Sequence, residues 1–172
     1  MISALYNLSD KRIQPKCKIC SSCGGCQYQQ LKYEEQLVLK TKRVKEALER
    51  IGHIKTNVNP CLGMEDPYYY RNKIQMPYGK DRKGNVFYGF YRQNTHEIIP
   101  VKECVIEDRR ASSILWDIKE LVKKHNIPVY NEDSRQGILR YVLVRTSYHF
   151  DELMIVLVVS KLTLPSIQGR KV

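Results

Sequence analysis

The sequence has few acidic residues and none of the glycine-rich motifs that bind nucleotides. It has 18 Asp and Glu against 29 Lys and Arg in 172 residues, a formal net charge of +11. A Gly-x-x-x-x-Gly-Lys loop, a Gly-x-Gly-x-x-Gly turn and the β-α-β alternation of nucleotide-binding folds are all missing. No grouping of Asp, Glu and His suggests hydrolysis. The sequence therefore shows no catalytic machinery, whereas its positive charge favours a polyanionic partner, nucleic acid before an anionic membrane.

Long apolar runs are missing as well. The first sixteen residues hold no stretch of the signal-peptide type, and no later segment approaches the length of a membrane span. We therefore predict a cytoplasmic protein that does not associate with a membrane. Disulfides belong to oxidising compartments, so the six cysteines are more typical of a metal site than of a disulfide framework.

Four of the six cysteines lie within ten residues, Cys17-Lys-Ile-Cys-Ser-Ser-Cys-Gly-Gly-Cys26. Gly24 and Gly25 allow the backbone to fold back, because glycine reaches positive φ at little steric cost. Structural zinc sites usually take two Cys-x2-Cys pairs well apart in the sequence, whereas dense runs with one remote partner are typical of iron–sulfur proteins. The spacing favours an iron–sulfur site over a zinc site, and it leaves Cys104 and Cys61 as alternative remote ligands.

Hydrophobic periodicity predicts an α+β fold with a mainly antiparallel sheet, two amphipathic helices and the cysteine-rich metal-binding loop. Helices are predicted over residues 33–51 and 112–126. Strands are predicted over residues 70–76, 85–91, 98–106, 137–146 and 152–160. Gly79 is placed in the loop between the first two strands, with a turn at Lys83-Gly-Asn85. Leu153–Val159 is entirely apolar, so we expect a central strand covered on both faces.

Residues 68–92 combine aromatic rings with positive charge. They carry six tyrosines, two phenylalanines and six lysines or arginines, with Asp81 as the one acid. Cations beside aromatic rings can bind phosphates and stack on bases, and Arg71 and Lys73 are expected to project together from one strand face. The alternative is a tyrosine-rich hairpin with a solvated basic face. His96 alone is more typical of a surface residue than of a catalyst.

Several separated motifs resemble those of one enzyme family. Cys17-x5-Cys23-Gly-Gly-Cys26-Gln27, followed by Gln30-Leu31, Tyr33, Gln36-Leu37 and Lys40, resembles the signature of the RNA 5-methyluridine methyltransferases that carry an iron–sulfur cluster. Further blocks resemble that family in the expected order: Tyr70-Arg-Asn-Lys-Ile74, Gly89-Phe-Tyr-Arg92, His96-Glu-Ile98 and Cys104-Val-Ile106. The resemblance covers residues 17–165.

This resemblance implies a cofactor and a partner. It implies a 4Fe–4S cluster ligated by Cys17, Cys23, Cys26 and Cys104, with Cys20 and Cys61 as bystanders. In the family, this region is a central domain that contacts ribosomal RNA, so RNA, and ribosomal RNA first, is the expected partner. The residues that we expect to bind RNA are Arg71, Lys73, Tyr91, Arg92, His96 and Arg140.

The resemblance also implies a domain organisation. Residues 1–16 form a leader, 17–32 and 61–165 the iron–sulfur and RNA-binding central domain, 33–60 a helix and linker that dock on a catalytic domain, and 166–172 a tail. In the family, a following doubly wound domain binds S-adenosylmethionine and supplies the nucleophilic cysteine, and this sequence stops before that domain. Without it, the helix over residues 33–51 is uncovered and available for self-association.

We therefore expect the cluster-bearing RNA-recognition domain of an S-adenosylmethionine-dependent 23S rRNA uracil-C5 methyltransferase, inactive alone. The alternative is a stand-alone zinc-dependent nucleic-acid-binding module. A small electron carrier is a third reading, but it gives the basic tyrosine-rich hairpin no purpose.

Overall fold

The computed structural model describes residues 10–161, which form two compact units. The first unit contains residues 10–20 and 25–67, and the second contains residues 21–24 and 68–161. Most of the predicted leader and all of the predicted tail lie outside the described residues. No helix within residues 10–161 is long and apolar enough to cross a membrane.

One long helix dominates the first unit. Helix α1, Tyr33–Glu46, continues without a break into a π-helical segment, Ala47–Ile51. This confirms the predicted helix over residues 33–51. Neither segment has a buried residue. The spacing of Leu37, Val44, Leu48 and Ile51 predicts one apolar stripe along the helix, and Val44 is 52% exposed. The stripe is therefore a surface feature within the described residues.

The chain after α1 is attached to the helix by hydrogen bonds from backbone to side chain. The N–H of Cys61 donates to Thr41 Oγ1 over 2.8 Å, and the N–H of Met64 donates to the Tyr33 hydroxyl oxygen over 2.8 Å. A Cβ atom on Gly63 would lie 2.8 Å from Leu37 Cδ1. Glycine is therefore what allows this close approach to the helix.

The second unit is built on a five-stranded antiparallel sheet in the order β3-β2-β1-β4-β5. The strands are β1 Lys73–Lys80, β2 Val86–Tyr91, β3 Ile98–Pro100, β4 Leu139–Thr146 and β5 Leu153–Val159. Helix α2, Arg109–Lys124, connects β3 to β4. The predicted α+β class and antiparallel sheet are confirmed.

The hydrophobic core lies between α2 and one face of the sheet. It is made of Ile74, Met76, Tyr78, Tyr88, Val142 and Val144 from the strands and Ala111, Leu115 and Val122 from α2. The Tyr78 hydroxyl donates a 2.8 Å hydrogen bond to the Leu115 carbonyl oxygen, so the one polar atom of that buried ring is satisfied. Side chains with the opposite alternation, such as Lys73 and Gln75, project from the other face.

The first predicted strand and its loop need correction. Strand β1 begins at Lys73 rather than Tyr70, and it continues through Gly79 to Lys80. Gly79 pairs with Phe87, and a Cβ at Gly79 would lie 3.1 Å from the Phe87 ring. A glycine that the sequence pattern assigns to a loop therefore makes room for a neighbouring ring in the sheet. The predicted turn is confirmed, with Gly84 at φ 82°.

The predicted strand over residues 98–106 is also too long. Strand β3 is only three residues long and ends at Pro100, whose ring nitrogen has no proton to donate to a ladder. Cys104 therefore lies in the segment that leads into α2, not on a strand. That helix begins at Arg109 rather than Ser112, because the Asp108 side chain caps it by accepting from the Arg110 N–H.

Strand β5 is the largest correction. It pairs with β4 as predicted, but it is an edge strand of the described sheet and not a central one. Five consecutive apolar residues, Leu153–Leu157, are between 39% and 53% exposed. The apolar composition shows that the strand is suited to burial, yet nothing among residues 10–161 provides that burial.

Candidate nucleic-acid interface and metal centre

The six cysteines are divided between the two units. The first unit holds Cys17, Cys20, Cys26 and Cys61, and the second holds Cys23 and Cys104. Within residues 10–161 no disulfide joins any two of them, and no three His, Cys, Asp or Glu side chains are grouped as ligands for one metal ion. The ligand set Cys17, Cys23, Cys26 and Cys104 therefore stays a prediction.

Within the first unit, one glutamine side chain contacts two of the four predicted ligands. Gln29 Nε2 donates to Cys26 Sγ over 3.1 Å, and Gln29 Oε1 accepts from the Cys17 N–H over 3.4 Å. The Cys20 N–H donates to the Cys17 carbonyl oxygen over 3.2 Å, which forms a tight turn. Amide donors to ligand sulfurs are a feature of iron–sulfur sites, where they tune the cluster.

The other two predicted ligands are held by backbone contacts in the second unit. Cys23 forms an isolated antiparallel bridge with Arg92, just past the end of β2. Cys104 is buried, and its carbonyl oxygen accepts from the Glu107 N–H over 3.2 Å. Cysteine thiols, with an amide donor directed at one of them, are a donor set that fits an iron–sulfur cluster and also a zinc ion.

A buried carboxylate follows Cys104. Glu107 is fully buried, and neither of its oxygens has a hydrogen-bond partner within residues 10–161. Burial raises its pKa to about 7, and the nearby positive charge of Arg71 opposes that rise. Arg71 itself precedes β1 and forms a parallel bridge with Glu107. The structure therefore places Arg71 beside a buried acid, and not in the strand that contains Lys73.

The sheet face opposite α2 carries a pair of adjacent cations. Lys73 on β1 is the direct cross-strand partner of Arg145 on β4, and both side chains are exposed. The Thr146 N–H donates to the Asn72 carbonyl oxygen, so the next pair along, Lys73 and Arg145, is a non-hydrogen-bonded pair, in which side chains are closest. Like charges directly opposite are destabilising, so an anion between them would be favourable.

We define the basic sheet face as Lys73, Gln75, Leu143 and Arg145. The RNA-binding residues expected from the sequence include Lys73 but not Arg145. The pairing of β4 with β5 is irregular between Leu139 and Tyr141, whereas Lys73 and Arg145 are direct partners in the pairing of β1 with β4. The strand register identifies Arg145 as the partner of Lys73. The period-two alternation of β4 is a sequence signal for the face on which Arg145 lies, but it does not give the partner.

Three other predicted RNA-binding residues are linked by aromatic contacts. The Tyr91 and Tyr141 hydroxyl groups share a 3.2 Å hydrogen bond, and burial is the main cause that raises the pKa of Tyr91. The His96 ring lies edge-on to Tyr91, with 5.5 Å between centroids. Arg140 stacks over the Tyr130 ring at 4.6 Å, next to Tyr141.

Glutamates neutralise the two arginines in this region. Arg140 pairs with Glu132 over 2.8 Å, and Arg92 pairs with Glu97 over 2.7 Å. The hydrogen bond between them raises the pKa of Arg92 and lowers the pKa of Glu97. Phosphate would have to compete with these carboxylates, whereas none of the described acids is paired with Lys73 or Arg145. The latter two are therefore the stronger candidates for phosphate contact.

Comparisons with known proteins identify related sequences and a similar structure. No family model matches the chain. An uncharacterized RNA methyltransferase of Clostridium tetani is 46% identical over 157 residues, which cover 91% of this chain and 34% of the relative. Uncharacterized RNA methyltransferases of Clostridium acetobutylicum and Staphylococcus aureus are 44% and 40% identical, again over 91% of this chain and about 35% of their own length.

The similar structure is the crystal structure of a tRNA (uracil-54, C5)-methyltransferase of Pyrococcus abyssi in complex with S-adenosyl-L-homocysteine. Its TM-score is 0.66 and its sequence identity is 26%, over 91% of this chain and 34% of that chain. The chain thus spans about one third of the length of the proteins that it matches. Across nearly all of its residues, the chain is similar in sequence to one part of these RNA methyltransferases and similar in fold to one part of the uracil-C5 enzyme.

Proposed function

We propose that this chain is the RNA-recognition domain of an S-adenosylmethionine-dependent RNA uracil-C5 methyltransferase. The observation that carries the proposal is the similarity over 91% of the chain to RNA methyltransferases, together with the fold similarity to a uracil-C5 enzyme. Methyl transfer would take place in a part of the enzyme that these 172 residues do not include. The chain alone should therefore bind RNA without methylating it.

The basic sheet face is the surface proposed to hold the RNA backbone. Lys73 and Arg145 are adjacent, exposed and matched by no described carboxylate, so a phosphate would relieve their mutual repulsion. Tyr91 and His96 provide rings near the same sheet for contacts to bases. The resemblance to the cluster-bearing RNA methyltransferases implies 23S rRNA as the substrate, whereas the similar solved structure is named for a tRNA substrate.

The cysteines are proposed to hold a 4Fe–4S cluster with a structural role. Cys17, Cys23, Cys26 and Cys104 would ligate it, and Gln29 would donate to the Cys26 sulfur. A cluster bound by these cysteines would keep the RNA-binding surface pre-formed. The exposed stripe of α1 would be covered by the methyl-transferring part of the enzyme, and in the isolated chain it would be open to self-association.

Salt-dependent RNA binding tests the proposed surface. The double variant Lys73→Ala/Arg145→Ala should bind a 23S rRNA stem-loop more weakly, with a log–log salt slope that is shallower by about 1.4 to 1.8, since each phosphate contact adds roughly 0.7 to 0.9. A matched control removes two exposed cations of the β1–β2 turn, Arg82→Ala/Lys83→Ala. A slope that changes equally in the two double variants would refute the basic sheet face as the RNA-binding surface.

A competition experiment tests the finer assignment to ribosomal RNA. Two unlabelled competitors of equal length are used, a tRNA T-arm and a 23S rRNA stem-loop. Each should compete with the labelled 23S rRNA stem-loop for binding to the protein. The 23S rRNA assignment predicts that the stem-loop competes better than tRNA at physiological salt. Stronger competition by tRNA would indicate that the substrate is tRNA and not 23S rRNA, and it would leave the proposed methyltransferase function unchanged.

A further inference from the structure

A second aromatic and basic site lies on the helix side of the sheet, away from the basic sheet face. Trp116 is the one tryptophan of the chain, and it lies on α2 next to Leu115, off the buried stripe of that helix. Its side chain is 43% exposed, so the core does not account for it. Lys119 Nζ lies 3.5 Å from the centroid of the Trp116 ring, a cation–π contact.

Two shallow cavities meet at Trp116. One has a volume of about 290 Å³ and is lined by Lys102, Arg109 and the Ser112 and Ser113 side of α2. The other has a volume of about 280 Å³ and is lined by Phe87, Pro100 and Lys119 among others. Trp116 and Lys102 line both. Volumes near 300 Å³ are at the lower end for ligand pockets, which suits a single planar group better than a large ligand.

The charges around these cavities favour an anion next to the ring. Lys102, Arg109 and Lys119 all contribute cations, against one acid, Glu103, in the lining. Lys119 is itself paired with Glu120 at 2.9 Å, which leaves Lys102 and Arg109 as the lining cations that have no described carboxylate partner. The Arg109 guanidinium stacks 4.1 Å above the Tyr69 ring, which limits its movement. A group with a flat apolar face and an attached negative charge therefore matches the site.

We propose that the cavities at Trp116 hold one unpaired nucleotide of the RNA, with its base stacked on the Trp116 ring and its phosphate near Lys102 and Arg109. This rests on the proposed RNA-binding function and adds a contact that the basic sheet face does not supply. Base stacking on an aromatic side chain tolerates any base, so the site selects for a single-stranded nucleotide rather than for a sequence. A base paired within a helix would not fit it.

The fluorescence of the unmodified 172-residue protein tests this directly, because all tryptophan emission comes from Trp116. The probe is a single-stranded, 12-nucleotide oligouridine, with an abasic oligonucleotide of the same length as control. Both carry phosphates, but only the first can stack. We expect the oligouridine to quench the emission and to protect Trp116 from acrylamide, and the abasic oligonucleotide to do neither.

Variants give a second, independent measurement through the anisotropy of the labelled oligouridine. Trp116→Ala should weaken binding about 5- to 150-fold, the range for the loss of one stacked base, and Trp116→Phe should lose less. Phe150→Ala removes another exposed aromatic ring and serves as the matched control, with affinity unchanged. Circular dichroism of each variant checks that the fold is retained.

The outcomes separate this proposal from the function on which it rests. Oligouridine that binds without altering Trp116 emission, or a Trp116→Ala variant with unchanged affinity, overturns the stacking site and leaves RNA recognition intact. A protein that binds neither oligouridine nor the rRNA stem-loop overturns both proposals. Equal quenching by the abasic oligonucleotide would show that a phosphate, not a base, occupies the site, which also overturns the proposal.

Discussion

The two units of this chain are ordered by different interactions. Every buried hydrophobic side chain within residues 10–161 belongs to the second unit, where α2 packs on the sheet. The described part of the first unit has no buried residue, and its loops are attached by a hydrogen bond from Gln29 and by backbone N–H groups that donate to Thr41 and Tyr33. A segment that buries so little apolar surface gains little to offset its loss of backbone entropy. The first unit should therefore depend on metal ligation, whereas the second should be stable by itself.

The largest expected effect is that of removing a metal ligand from the first unit. Cys26→Ser should abolish iron binding and remove hydrogen-exchange protection from residues 17–20 and 25–32, because metal binding and folding are coupled in such loops. Strands β1 and β4 should keep their protection. Hydrogen exchange by mass spectrometry measures both regions in one experiment.

Cys20→Ser is the matched control for that ligand variant. Cys20 lies in the same loop, but it is a bystander in the predicted ligand set, so iron and protection should both be retained. Loss of iron in Cys20→Ser with retention in Cys26→Ser would show that the predicted ligands are wrong.

The next prediction compares the loss of a buried core side chain on α2 with the loss of an exposed side chain on the apolar stripe of α1. Leu115→Ala deletes a fully buried side chain of α2 and should lower the free energy of unfolding by about 2–5 kcal/mol. Val44→Ala on α1 removes an exposed side chain and should change it by no more than about 0.5 kcal/mol. Urea denaturation of the isolated chain gives both values. A Val44→Ala cost that matches that of Leu115→Ala would mean that the α1 stripe is buried in solution.

A smaller effect is expected from the glutamine that contacts the predicted ligands. Gln29→Ala removes the donor to Cys26 Sγ and the acceptor of the Cys17 N–H, so it should weaken metal retention about 10- to 100-fold. Gln30→Ala is the control, since the Gln30 side chain donates to the Gln27 carbonyl oxygen and not to a predicted ligand among the described residues. Iron loss to a chelator over time compares the two. Equal rates of iron loss in the two variants would show that the Gln29 side chain does not help to retain the metal.

The smallest effect concerns the cap of α2. Asp108 and Asp151 both pair with Arg110, but Asp108 is buried and also caps the helix, whereas Asp151 is 94% exposed. Asp108→Ala should cost about 1–2 kcal/mol of unfolding free energy, and Asp151→Ala almost nothing. Denaturant unfolding at pH 7 compares them. Equal costs would assign the effect to the Arg110 charge and not to the cap.

The pH dependence of that cap has a definite sign. The hydrogen bond from Arg110 is the main cause that lowers the pKa of Asp108 to about 2, below the 3.8 of an ordinary Asp. A carboxyl with a lowered pKa stabilises the fold above its unfolded pKa, and that stability is lost as pH falls from about 4 to 2. The difference between the wild-type protein and Asp108→Asn should therefore shrink across that window. A constant difference would contradict the assignment.

Local sequence patterns predict the helices, strands and turns themselves better than they predict which of these elements lie side by side in the structure. The helix over residues 33–51, the turn at Gly84 and the β4–β5 hairpin follow from periodicity and turn chemistry. Cys104 falls within the strand predicted over residues 98–106, yet that strand ends at Pro100. The edge position of β5 and the pairing of Lys73 with Arg145 depend on sheet order and register, which the composition of one strand does not contain.

The candidate site shows the same contrast between what local sequence patterns predict and what depends on the arrangement in space. Sequence motifs selected Lys73, Tyr91 and His96, which the structure places in or beside the sheet. They also selected Arg92 and Arg140, but each of these arginines has a glutamate partner that the residue pattern gave no reason to expect. A salt bridge between residues that are five or eight positions apart depends on loop geometry, so only the structure could identify it.

Metal analysis of anaerobically purified protein decides whether the cysteine loop holds a cluster, and the contrast between the two units depends on that cluster. We expect about four irons and four sulfides per chain, with visible absorption that Cys104→Ser abolishes. One zinc per chain without visible absorption, retained under air, would contradict it and favour the zinc-dependent nucleic-acid-binding module.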